Sequence, residues 1–86
     1  MQFIERRHKM KAEIGKYYIH YKNKKKYLVL SFAFHTETGE EMVVYEGQYN
    51  DAKYGNNPVW ARPRKMFEAK VETASGIMDR FELDQY

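Results

Sequence analysis

The polar and apolar positions of this chain change period at Gly15. Across residues 15–22, GKYYIHYK, Tyr17, Ile19 and Tyr21 alternate with Tyr18, His20 and Lys22, the two-residue repeat of an extended strand. Residues 26–35, KYLVLSFAFH, and 42–49, MVVYEGQY, are rich in β-branched and aromatic residues, as strands are. Asn23-Lys24-Lys25 and the ETGEE run around Gly39 supply the turns between them, so three antiparallel strands are predicted. Residues 50–58 read as a loop rich in Asn and Gly, and Pro58 opens a strand over 59–62. Pro63 ends that strand, one helical turn follows over 64–67, and extension resumes over 69–73. Ala74-Ser75-Gly76 turns the chain into a last strand, 77–83. The predicted fold class is mainly β: a small antiparallel SH3-like barrel, closed or half-closed, of five to six strands.

Before Gly15 the period is helical. Residues 1–14 contain no Gly or Pro, and Phe3, Ile4, Met10 and Ile14 recur near one helical face. A short basic helix over 1–14, ended by Gly15, is expected to pack on a barrel domain over 15–86. No internal repeat, low-complexity tract or linker interrupts this plan.

Composition narrows the class. At 86 residues the chain makes one domain, and 43% hydrophobic with 16% aromatic residues is well clear of a disordered composition. The absence of cysteine excludes a disulfide scaffold and thiolate zinc sites. No apolar run approaches the roughly 20 residues that cross a bilayer, so a cytoplasmic location without membrane contact is expected. Charge is uneven: residues 1–26 carry nine Lys or Arg against Glu5 and Glu13, a net of +7, and residues 27–86 carry six against ten, a net of −4. Such asymmetry fits either a solvated basic face or an anionic partner. Five scattered glycines form no phosphate-cradling loop, so a nucleotide triphosphatase is not expected.

The stretch NNPVWARPRKMF holds the only tryptophan, two residues before an arginine and bracketed by both prolines. On a strand Trp60 and Arg62 project from one face and present a flat ring beside a forked donor. A ring suits a base and a guanidinium suits a phosphate. His20, Tyr45 and Tyr49 are expected to join them in a ligand site, with Arg6, Arg7, Lys24, Lys25, Lys26 and Arg64 attracting a nucleic acid nonspecifically. The opposing reading has Trp60 plugging the barrel and Arg62 paired with Glu68 or Glu72. An enzyme or metal site would need His20, His35 and Glu37 or Glu41 to converge. Hairpin pairing instead sets His35 opposite Glu41 and His20 opposite Leu28, so neither catalytic nor metal residues are assigned, and no cofactor is expected. The functional expectation is a non-catalytic binding module for a nucleotide or nucleic acid. The alternative is a protein-interaction adaptor or self-associating module.

The residues Tyr18 to Lys22, Tyr27 to Leu30, His35 to Thr38, Glu41 to Tyr45, Trp60-Ala61-Arg62-Pro63 with Met66-Phe67, and Arg80-Phe81 resemble, in order and spacing, the bacterial family called domain of unknown function 1653. The resemblance runs from about Gly15 to Glu82 and implies a small SH3-like barrel with no established activity. The family pattern is polar where Leu28 and Phe34 stand. Here Leu28, Leu30, Phe32 and Phe34 are expected to form an outer apolar face opposite a core of Val29, Ala33, Val43 and Tyr45. With Phe34 opposite Met42 and Phe32 opposite Val44, the patch Leu28, Phe32, Phe34, Val44 would call for a cover, either the N-terminal helix or a second protein surface.

Overall fold

Residues 10–85 are described by the computed structural model of the chain. They form β1 (Tyr17–His20), β2 (Lys26–Phe34), β3 (Glu41–Gly47), β4 (Asn50–Asp51), β5 (Gly55–Asn56), β6 (Val59–Pro63), α1 (Arg64–Phe67), β7 (Lys70–Thr73), β8 (Gly76–Asp79) and β9 (Phe81–Leu83). Five strands make an antiparallel sheet in the order β6-β3-β2-β1-β9, and β4-β5 and β7-β8 are separate two-stranded ribbons. The edge strands β6 and β9 do not pair, so the sheet is open where a closed barrel was one of the two expected forms. β9 is three residues long and Pro63 lies within β6, so neither edge offers a long run of backbone donors for closure. Among the described residues, no helix is long and apolar enough to cross a membrane.

The expected N-terminal helix needs correction where the chain is described. Residues 1–9 lie outside the described residues, and residues 10–13 are irregular before a turn at Ile14-Gly15. Their backbone groups bond to side chains and to a turn instead of a helical ladder. The Ala12 N–H donates to Glu68 Oε2 at 2.8 Å, the Ala12 carbonyl accepts from Arg64 Nη2 at 3.4 Å, and the Glu13 N–H donates to the Tyr18 hydroxyl at 3.0 Å. Gly15 stands at φ +85 and serves a turn rather than a helix end.

A bulge in β2 reverses the expected faces. Val29 pairs with Tyr45 and Ser31 with Val44, leaving Leu30 unpaired between them. One extra residue moves every later side chain to the opposite side. Phe32 therefore faces Val43, Ala33 faces Met42 and Phe34 faces Glu41. Phe32 packs at the core margin beneath the Arg64 guanidinium, 4.0 Å above its ring. Phe34, 71% exposed, lies further along that side. Leu28 and Val44 sit on the other face, opposite Glu46 and Ser31, so the four residues of the expected patch do not form one surface.

The core lies on one face of the sheet and is mostly aromatic. Tyr18, Tyr27, Val29, Val43, Tyr45, Phe67 and Phe81 are buried there with Ala12. Phe67 enters from α1 and stacks on Phe81 with centroids 4.0 Å apart and planes 6° from parallel. Tyr18 and Tyr45 meet Phe67 edge-on at 5.6 and 5.2 Å, the favoured arrangement for ring quadrupoles. Residues 50–58, expected as plain loop, carry the β4-β5 ribbon, turned by Asp51 Oδ1 accepting from the backbones of Lys53 and Tyr54. The expected strand 77–83 breaks at Arg80, whose N–H donates to the Ala69 carbonyl and whose Nε donates to that of Met66. That break sends β8 to a ribbon and β9 to the sheet.

Candidate functional site

Strand register carries Trp60 and Arg62 to the core side of the sheet. In the β3-β6 pairing Trp60 faces the buried Tyr45, and Arg62 faces the buried Val43. Both line a concave cavity of about 310 Å³. The cavity gathers all five ligand residues expected from sequence, His20, Tyr45, Tyr49, Trp60 and Arg62, and adds Asn23, Tyr27 and Phe81. Its floor belongs to the core, since Tyr27, Tyr45 and Phe81 are 5%, 5% and 0% exposed.

A relay of polar groups runs along one wall. Asn23 Nδ2 donates to the Tyr27 hydroxyl at 3.0 Å, the Tyr27 and Tyr49 hydroxyls are 3.1 Å apart, and Trp60 Nε1 donates to the Tyr49 hydroxyl at 3.2 Å. The Lys25 ammonium lies 4.3 Å from the Tyr49 ring centre. Opposite, Arg62 Nε donates to the Tyr45 hydroxyl at 3.2 Å, and its guanidinium carbon is 5.5 Å from the Phe81 ring centre. The opposing pairing of Arg62 with Glu68 or Glu72 does not form; Arg64 takes Glu68 at 2.8 Å and Glu41 at 3.0 Å instead. Among the described residues, no carboxylate lines the cavity.

His20 packs edge-on against Phe81 at 4.9 Å. Burial, and then the charges of Arg62, Arg80 and Lys22, push its pKa below the usual imidazole range. Its Nδ1 accepts the Lys22 N–H at 3.1 Å, so the neutral ring carries its proton on Nε2. Its expected cross-strand partner is corrected as well: Tyr17 faces Leu28, and the His20 N–H donates to the Lys25 carbonyl. His35 bonds the Glu40 carbonyl through its N–H, and its Nδ1 accepts from the backbones of Glu37 and Thr38, so it caps a turn rather than pairing with Glu41. It does not line the cavity, and among the described residues no three His, Asp or Glu side chains gather to hold a metal.

The expected basic contacts scatter. Lys24 lines a neighbouring recess with Lys70 and Asp79, Lys26 pairs with Asp84 at 3.2 Å, and Arg64 is held by its two glutamates. Arg6 and Arg7 lie outside the described residues. Lys25 alone of the six lies against a cavity ring among the described residues.

Burial raises the pKa of Tyr18 and Tyr45, and burial together with the bond to Tyr27 pushes Tyr49 up to about 12. Because these folded-state values exceed the ordinary phenol value, their contribution is fully present below about pH 10 and is lost as pH rises through the raised values. Urea midpoints are expected to fall between about pH 10 and pH 12, and Tyr49→Phe to reduce that fall. A flat midpoint over that range would refute the assignment.

Sequence reading missed Gly47. A Cβ there would stand 2.5 Å from Tyr49 Cε2 and 2.7 Å from its Cζ, so only glycine admits the ring where Trp60 bonds it. Gly47→Ala is expected to destabilise by about 1–3 kcal/mol through overpacking. Adding Tyr49→Ala should recover part of that loss, and a double-mutant cycle in urea measures the coupling. Asn23 was read only as a turn residue. Its Oδ1 does accept the Lys25 N–H at 2.8 Å, and that bond aims Nδ2 at Tyr27.

The model of the family described as "Protein of unknown function (DUF1653)" matches residues 16–83. A crystal structure of a protein belonging to DUF1653 from Bordetella bronchiseptica is similar at a TM-score of 0.69 and 33% sequence identity, over 81% of this chain and 85% of that one. No curated protein matches.

Proposed function

This chain belongs to the DUF1653 family, and from the cavity it carries we propose that it is a non-catalytic binding module for a phosphate-bearing ligand, a nucleotide or nucleic acid. The observation that carries this reading is Arg62: it shares the cavity with Trp60 and has no carboxylate partner among the described residues. A guanidinium held without an anion beside an indole offers a phosphate and a base their two usual partners. The open sheet is, in this reading, a half-closed variant of an SH3-like barrel. The adaptor alternative is weakened by the bulge that splits its expected surface.

Titration with nucleoside monophosphates and short oligonucleotides, followed through the emission of the single tryptophan, tests the proposal. Quenching at roughly micromolar concentration is expected, weakening with salt more steeply for the oligonucleotides. Unchanged emission and unchanged melting with both ligand classes at low salt would overturn it.

A further inference from the structure

We infer that the cavity takes the terminal phosphate of its ligand, a monoester end with three unsubstituted oxygens, rather than an internal diester; this rests on the phosphate-binding reading above. Amide and indole N–H groups only donate, and they occupy both ends of the relay from Asn23 through Tyr27 and Tyr49 to Trp60. The two hydroxyls between them own two protons but share one contact. One proton is left over, whichever tyrosine keeps it.

The same count holds across the cavity. The Tyr45 oxygen accepts from Arg62 Nε at 3.2 Å, and its own proton meets no acceptor among the described residues. His20 uses Nδ1 as an acceptor, leaving its Nε2–H to donate. Both terminal nitrogens of Arg62 carry only hydrogens. The polar groups therefore offer more free protons than free lone pairs, and Arg62 adds a positive charge. This inventory suits an acceptor-only, anionic group, and the Arg62 cation disfavours a methylammonium guest that the aromatic walls would otherwise fit.

Position separates an end from a middle. The spare hydroxyl proton of Tyr45 belongs to a floor residue, and so does one of the two bonded hydroxyls of the relay, since the rings of Tyr27 and Tyr45 are themselves core. A continuing strand can lie across the mouth of such a cavity, whereas a chain end can turn its phosphate in toward the Tyr45 hydroxyl, on a ring 5% exposed that packs against Phe81. The volume, about 310 Å³, is at the small end for ligand sites, which start at roughly 300 Å³. It accommodates one nucleotide, not several. Arg62 lines the cavity and Lys25, outside its lining, lies 4.3 Å from the Tyr49 ring centre, so both cations can attract a dianion.

The test compares a dinucleotide bearing a 5′-phosphate with the same dinucleotide lacking it, with inorganic phosphate as competitor. The phosphorylated form is expected to bind at least about tenfold more tightly, inorganic phosphate to compete with it, and Tyr45→Phe to abolish most of the ratio while the chain stays folded by circular dichroism. Equal affinity for the two dinucleotides would overturn the inference and leave the broader phosphate reading standing. Retention of the full ratio in Tyr45→Phe would overturn the hydroxyl assignment on which it depends. Binding of neither dinucleotide, nor of a nucleoside monophosphate, would overturn both readings.

Discussion

Arg62→Met is expected to lower affinity for a nucleoside monophosphate by about 30- to 100-fold, the equivalent of about 2–3 kcal/mol for a lost charge-assisted fork. Methionine keeps the apolar stem against the sheet and removes the cation and its donors. The folded state loses one 3.2 Å bond to Tyr45 and the guanidinium near Phe81, so stability should fall by only about 1 kcal/mol. Isothermal titration against the variant, with its melting curve as control, separates the two effects. Unchanged affinity would remove Arg62 from the site. Arg64, two residues on, provides the contrast: its charge already serves Glu41, Glu68 and the Ala12 carbonyl, and its replacement should weaken the fold without selectively weakening the ligand.

Phe67→Ala is expected to cost about 3–5 kcal/mol of stability. An 86-residue domain has about 4–13 kcal/mol in total, so the variant should lose between about a quarter and all of its stability. Phe67 is fully buried, stacks on Phe81 and meets two tyrosine edges. It is also the buried side chain of α1. Removing the ring opens a void under Phe81, the plate that carries His20 and Arg62, so binding should fall with stability. Phe67→Leu, which retains most of the volume, should lose clearly less. Urea unfolding of both variants measures the difference, and a loss below about 1 kcal/mol for the alanine would show that the ring is not part of a close-packed core.

The cavity was legible to the extent that it depended on local geometry. Trp60 and Arg62 share a face because consecutive strand side chains must alternate, and the prolines bounding that segment told where the strand runs. The alternation of Tyr45 and Tyr49 was equally local, and all four residues line the cavity with His20. What faced them was not local. Asn23 looked like turn chemistry, and Phe81 lies on a strand of three residues, too short to show a period. The need for Gly47 arises from a ring two residues away folding back over it.

By itself the sequence determined a mainly antiparallel β unit, the approximate span of its principal strands and the common side of an indole and a guanidinium, because these follow from a two-residue repeat and from proline's missing donor. Only the tertiary structure decided the bulge at Leu30, the open edges, the loss of helix at residues 10–14 and the choice of Arg64 over Arg62 as the ion-paired arginine. Those outcomes depend on contacts between residues remote in the chain, where a single inserted residue or a distant carboxylate outweighs any local preference.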